Sequence, residues 1–134
     1  MPIKTKRWND TVDANDGLRV LICRYRPRAL PKKHENWQRW LKELGPSKEL
    51  HADFYGKGGK QPITWETYRR RYLEEMQEER PRELIAELAG VIAEGKTVTL
   101  LCSSACENAL RCHRILLREL IEKESARRAA EGAS

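Results

Sequence analysis

The 134-residue chain lacks any apolar run long enough to span a bilayer, which excludes a helical membrane protein. Its opening, MPIKTKRWND, lacks the apolar core of a signal peptide, so a cytoplasmic protein that engages no membrane is expected. Cysteine is scarce. Cys23, Cys102, Cys106 and Cys112 are fewer than a small secreted disulfide scaffold usually carries, and without an export signal they are expected as reduced thiols. No internal repeat is present. The means of building a core are not missing: 40% of residues are hydrophobic and there are 4 Trp and 4 Tyr. With regular apolar periodicity, this excludes a disordered or collagen-like chain despite a mean hydropathy of −0.76. The length suits one compact domain and is too short for two.

Negative charge is sparse in the first quarter. Residues 1–34 hold nine Lys/Arg against three Asp, while the rest of the chain balances, so the whole net charge of +6 sits there. Lys4, Lys6, Arg7, Arg19, Arg24, Arg26, Arg28, Lys32 and Lys33 make up this excess. Such a patch suits a phosphate, a nucleotide or a nucleic-acid backbone, and a merely solvated basic surface is the bland alternative.

Ile3 to Trp8 reads as a short strand. Leu18 to Cys23 reads as a buried one, stopped by the Pro27 loop, and Thr97 to Cys102 as a second. Helical spacing is expected from near Lys33 to Leu44, with Trp37 and Trp40 on its apolar face, closed by Gly45-Pro46. Ser47 begins a short turn through Leu50. Thr64 is an N-cap for a helix to about Glu79 with Trp65, Tyr68, Tyr72 and Met76 as its stripe, and Pro81 opens the next. Trp37, Trp40 and Trp65 are expected in the core. Asn108 to about Glu124 reads as the last helix. The expectation is an α/β fold: a single compact domain over residues 1–124 with a largely parallel sheet flanked by helices, and a frayed tail over 125–134.

The chemistry concentrates in Cys102-Ser-Ser-Ala-Cys-Glu-Asn-Ala-Leu-Arg-Cys-His-Arg114. A thiol at the carboxyl end of a buried strand, followed by small residues and a helix, lies where open α/β sheets bind ligands. Backbone N–H groups beside Ser103 and Ser104 suit an anion and would depress a thiol. Helical bookkeeping turns His113 inward and puts Arg111, Arg114 and Arg118 on another face. Cys23 ends the other strand and leads into Arg24 and Arg28. If the two strands are neighbours, thiols and arginines meet at one rim. Gly56-Lys-Gly-Gly-Lys60 is no P-loop, because it lacks the Gly-Lys-Ser/Thr ending. The spacing Cys102-x3-Cys106-x5-Cys112-His113 supplies enough ligands for a metal. It matches no common zinc pattern, and on one helix Cys112 and His113 would point about 100° apart, so no metal or other cofactor is expected.

Several stretches resemble a known family. Leu18-Arg-Val-Leu-Ile-Cys-Arg-Tyr-Arg-Pro-Arg-Ala-Leu30 resembles the Arg-Val-Leu-Val-Asp-Arg-Leu-Trp-Pro-Arg-Gly-Leu stretch of domain-of-unknown-function family 488, the YeaO-like group. Trp40-Leu-Lys-Glu-Leu-Gly-Pro-Ser-Lys-Glu-Leu50 resembles its Trp-Leu-Lys-Glu-Leu-Ala-Pro-Ser-x-Glu-Leu. Trp65, Tyr72 and Glu75 resemble its Trp…Arg-Tyr-x-x-Glu-Leu, and Thr97 to Ser103 its Val-Thr-Leu-Leu-Tyr-Ser strand. Cys102 and Cys112-His-Arg114 resemble the Leu-Leu-Cys-x-Glu…Cys-His-Arg signature of the wider family. The chain departs from the pattern at Cys23 (Asp), Arg26 (Trp) and Ala29 (Gly), and Glu107 lies farther from Cys102 than the family carboxylate. The resemblance implies a small cytoplasmic α/β protein with a site but no assigned reaction.

The first functional expectation is an enzyme-like thiol site. Cys102 would be the nucleophile or redox thiol with a depressed pKa, Cys112 the resolving thiol and His113 the base. Arg24, Arg28, Ser103, Ser104 and Arg114 would hold a small anionic, phosphate-bearing substrate. The alternatives are a nucleic-acid or nucleotide binding module using the basic patch, and a Cys/His metal-binding protein.

Overall fold

A computed structural model describes residues 2–103, 106 and 108–132. Its centre is a four-stranded sheet of β1 (Ile3–Arg7), β2 (Leu18–Leu21), β3 (Arg39–Trp40) and β4 (Val98–Cys102). The spatial order is β1-β4-β2-β3, and every pairing is parallel. The α/β class with a parallel sheet is what the chain adopts.

β4 is last in sequence but lies between β1 and β2, with Val98 level with both Ile3 and Leu18. Paired on both edges and covered on both faces, all five of its residues are buried. That is why it reads as a continuous apolar run rather than an alternation. Strand parity divides the interior. Val20, Ile22, Val98 and Leu100 join a large cluster with Leu84, Leu88, Leu117 and Ile121. Leu21, Cys23 and Leu101 join a smaller one with Cys102 and Cys112, against which Trp8 and Trp37 pack.

The helices are α1 (Lys48–Tyr55), α2 (Trp65–Glu75), α3 (Glu79–Ala93) and α4 (His113–Gly132). Ser47 caps α1 by accepting from the Leu50 N–H, and Thr64 caps α2 by accepting from the Thr67 N–H. Glu75 in turn grips Ser47, accepting from its N–H at 2.8 Å and its hydroxyl at 2.5 Å, so α2 orients the start of α1. Tyr72 is fully buried, and its hydroxyl donates to the Leu44 carbonyl at 2.7 Å, which satisfies the one polar atom it takes inside. Two glycines are demanded by close approach. A Cβ on Gly17 (φ +64°) would lie 2.2 Å from the Thr97 carbonyl oxygen, and one on Gly45 would lie 2.6 Å from the Arg24 nitrogen.

Four expectations are corrected. The segment from Lys33 to Leu44 is not a helix. It forms 3-10 turns at Lys32–His34 and Lys42–Leu44 with β3 between them. The edge of β2 decides this: Gln38 N–H donates to the Arg19 carbonyl and Leu41 N–H to the Leu21 carbonyl, pairing groups a helix would leave open. The tryptophans are not core residues. Trp37 and Trp65 are half-buried, and Trp40 is 40% exposed with its indole N–H donating to the Cys23 carbonyl. Pro81 stands third in α3, within the first turn, where its missing N–H costs nothing. The last helix starts at His113 and runs to Gly132, through the segment expected to fray. Arg127 pairs with Glu124 and Glu131, and Arg128 with Glu124, at helical spacing along that stretch.

The N-terminal basic excess divides in two. Lys4, Lys6 and Arg19 converge on Asp16, whose side chain is 1% exposed, and Arg7 pairs with Asp10. Burial alone would push the Asp16 carboxyl up. Hydrogen bonds from Lys6, the Asp13 backbone and Lys4 outweigh it and hold the carboxyl well below its usual range. The other half, Arg24, Arg26 and Arg28, leaves the sheet at the end where β4 delivers Cys102. Among the described residues no helix is long and apolar enough to cross a membrane.

Candidate functional site

β2 and β4 are neighbours and run the same way, with Leu21 level with Leu101, so Cys23 and Cys102 emerge at one rim. There they line a cavity of about 100 Å³ together with Cys106, Cys112 and His113. Its other walls are Tyr25, Phe54, Tyr55, Tyr68 and His51, with Arg24 and Arg111 supplying charge. The rim position at the carboxyl ends of central parallel strands is the usual place for a ligand in an open α/β sheet.

All four cysteines are free thiols. The sulfurs of Cys102, Cys106 and Cys112 lie within 4.8 Å of one another, and Cys102 Sγ and Cys112 Sγ are 3.1 Å apart. His113 faces two of them, with Nδ1 at 4.0 Å from Cys102 Sγ and 3.9 Å from Cys112 Sγ. Its Nε2 sits 2.8 Å from the Ile22 carbonyl oxygen. A carbonyl only accepts, so Nε2 carries the proton and Nδ1 presents its lone pair to the sulfurs. Cys112 and His113 do not diverge along one helix. Cys112 precedes α4 in extended conformation (φ −136°, ψ 145°), which swings its sulfur back beside the ring.

The electrostatics single out one sulfur. Cys106 is half-buried, whereas Cys102 and Cys112 are 2% and 3% exposed. Hydrogen bonds from the Cys102 and Cys112 thiols, helped by the charge of Arg114, hold Cys106 well below the ordinary thiol range. Donation to Cys106 keeps the proton on Cys102, and bonds to Cys102 and Cys106 keep it on Cys112. Burial reinforces both, so these two thiols are pushed up. The depressed thiol expected at Cys102 therefore falls on Cys106. Burial lowers His113, and burial together with the charge of Lys57 lowers His51.

Of the residues expected at the site, Cys102, Cys112, His113, Ser103 and Arg24 line the cavity. Arg28 lines a neighbouring hollow of about 270 Å³ that shares Cys23, Tyr25 and Ser103 with it. Arg24, Arg26, Arg28, Lys57, His51, Tyr25 and Trp40 enclose a third hollow. Arg24 is steadied by donating its Nε–H to the Pro46 carbonyl at 2.9 Å. Arg114 is 6% exposed and is not part of the cavity wall, but its charge lowers Cys106. Ser104 and Glu107 lie outside the described residues. Sequence reasoning missed Cys106 as a site residue, although its place in the Cys-x3-Cys-x5-Cys spacing marked it. His51, Tyr25 and Tyr55 were also missed; Tyr25 lies beside Arg24 in the loop already expected at the rim, whereas nothing local in the sequence places His51 and Tyr55 there, some fifty residues from Cys102.

These observations define a small all-parallel α/β protein with a thiol-lined cavity at the end of its central strands. The chain belongs to the DUF488 family: residues 3–125 match DUF488-N3a, described as the active DUF488-N3 subclade. It is similar to the uncharacterised protein YeaO of Escherichia coli (strain K12), at 32% identity over 120 residues, covering 89% of this chain and 96% of YeaO. It is also similar to the uncharacterised protein Rv3073c of Mycobacterium tuberculosis, at 27% identity over 119 residues, covering 89% of this chain and 92% of that protein. No solved structure matches the chain.

Proposed function

We propose that the cavity carries out thiol-dependent chemistry on a small, phosphate-bearing substrate, with Cys106 as the reacting sulfur. One observation carries this reading: of three thiols clustered within 4.8 Å, Cys106 alone is half-exposed and has two buried thiols beside it, an arrangement that lowers it. A thiolate, not a thiol, is the nucleophile, and a half-exposed one beside cations fits that role. In this reading the Cys106 sulfur bonds to the substrate's electrophilic centre. The leaving group takes a proton from the adjacent Cys102 or Cys112 thiol, and His113 Nδ1 accepts and returns protons within the cluster.

The charge around the cavity favours an anion. The hollow beside it is lined by Arg24, Arg28 and Lys57, and by Arg26, which is ion-paired with Glu35; no carboxylate is among its described lining residues. Guanidinium groups suit phosphate, and the aromatic walls suit an apolar or planar remainder. A polymer backbone is less well served, because Lys4, Lys6, Arg7 and Arg19 are engaged with Asp10 and Asp16.

The test is protection from alkylation. Inorganic phosphate at millimolar concentration is expected to slow iodoacetamide labelling of Cys106 in the native chain. In Arg28→Ala the labelling rate without phosphate should be unchanged and the protection lost. Labelling indifferent to phosphate in the native chain would overturn the anionic-substrate reading.

A further inference from the structure

We infer that Cys102, Cys106, Cys112 and His113 form a binding site for one thiophilic divalent cation, of which zinc is the type. Three sulfurs within 4.8 Å of one another are nearly placed for this. Tetrahedral zinc–thiolate bonds of about 2.3 Å put sulfurs about 3.8 Å apart. Opening the 3.1 Å Cys102–Cys112 pair by well under an ångström meets that figure. The fourth donor is His113 Nδ1, already 3.9 and 4.0 Å from two of the sulfurs. Its outer nitrogen is anchored on the Ile22 carbonyl at 2.8 Å, the arrangement by which metal-binding histidines are held in one tautomer and one orientation.

The chemistry of the donor set selects the ion. Soft sulfur ligands favour zinc and its neighbours over magnesium or calcium, and no carboxylate lines the cavity among the described residues. The charge of the buried cluster also permits it: metal-bound cysteines are thiolates, so three of them around one dication carry a net charge of only minus one, and binding releases thiol protons to solvent. Because the ion occupies the sulfurs used in the proposed chemistry, the loaded protein is the silent form and the metal-free protein the reactive one. That last consequence rests on the proposed function; the binding itself does not.

Cobalt(II) titration of the metal-free, reduced protein tests the site. One equivalent is expected, with sulfur-to-cobalt charge-transfer absorption, displacement by one equivalent of zinc and release of protons. Cys106→Ser, a change at a half-buried position, should weaken binding and reduce the charge-transfer intensity by about a third. His113→Gln should weaken binding tenfold or more. Absence of the charge-transfer band, or a band and affinity unmoved in both variants, overturns the inference. Alkylation separates the two readings. Fast Cys106 labelling without cobalt binding sinks the metal site alone. Cobalt binding with sluggish labelling of metal-free Cys106 sinks the thiol chemistry alone.

Discussion

The sulfurs of Cys102 and Cys112 are 3.1 Å apart across ten residues of chain, because β4 ends at the first and the second is extended where a helix was expected. Two buried thiols at that distance, both neighbours of Cys106, divide the cluster's protons unequally. The two hidden sulfurs keep theirs, and the half-exposed one gives its up.

Replacing Cys112 with Ala removes one of the two thiol donors to Cys106. A hydrogen bond to a charged group is worth about 1.5–3 kcal/mol, so the Cys106 pKa should rise by about one to two units. At a pH near the native midpoint of its labelling profile, alkylation of Cys106 should slow by about five- to fiftyfold in the variant, measured by timed labelling and peptide mass spectrometry. An unchanged rate would show that Cys112 does not support the thiolate.

His113 is lowered by burial, so the native state resists its protonation while the unfolded chain titrates near 6.5. The unfolded state then binds the proton first, and stability falls as pH drops below about 6.5, by up to about 1.4 kcal/mol per unit for this one group. Cys106, lowered as well, contributes with the same sign. The difference from His113→Gln isolates the histidine, because the Gln amide retains a donor for the Ile22 carbonyl. Urea unfolding from pH 7.5 to 5 should give a shallower pH slope for the variant, and equal slopes contradict the assignment.

Asp16 anchors the other half of the basic patch. Asp16→Asn leaves the Arg19 side chain, 4% exposed, without its countercharge. Stripping one partner from a buried ion pair costs roughly 3–5 kcal/mol. Urea denaturation should show a loss of that size, with Cys106 labelling in the folded protein unaffected. A loss under about 1 kcal/mol would mean that Lys4, Lys6 and Arg19 rearrange toward water at little cost.

Ala29 has φ +57°, the left-handed region, at a position where the family pattern carries Gly. An L side chain there costs about 1–2 kcal/mol, against about 0.5–1 kcal/mol for the greater unfolded-state freedom of Gly. Ala29→Gly should therefore stabilise the protein by up to about 1 kcal/mol in chemical denaturation. Destabilisation would contradict the backbone geometry of the Arg28 loop.

The legible parts of this fold were those in which local pattern and tertiary role agree. β2 and β4 are buried on both faces and read as unbroken apolar runs, and Thr64 announces its helix by capping chemistry, whereas Ser47 marks only a short turn through Leu50 where α1 runs on to Tyr55. The stretch from Lys33 to Leu44 misled because Trp37, Trp40, Leu41 and Leu44 happen to fall at helical spacing. The hydrogen-bonding needs of the β2 edge outweigh that spacing, and they are visible only once the strands are assembled. At the site, Cys102, Cys112 and His113 were found from their place after a buried strand. The helix was assumed to begin before Cys112, so the convergence of its sulfur with the His113 ring was hidden, and Cys106 lost its role with it. His51 needed α1, its Ser47 cap and the grip of Glu75 on that cap, a chain of contacts no short window contains.

The account turns on which sulfur is the thiolate. Site-resolved iodoacetamide labelling of the metal-free native protein, followed by mass spectrometry from pH 5 to 9, reads this directly. Cys106 should label faster than Cys23, Cys102 and Cys112 at every pH, with a rate already near its plateau at neutral pH, while the other three stay slow until the protein unfolds. If Cys106 labels no faster than its neighbours, or its rate climbs with the midpoint near 8.5 of an ordinary thiol, the cluster does not make a nucleophile and the account fails.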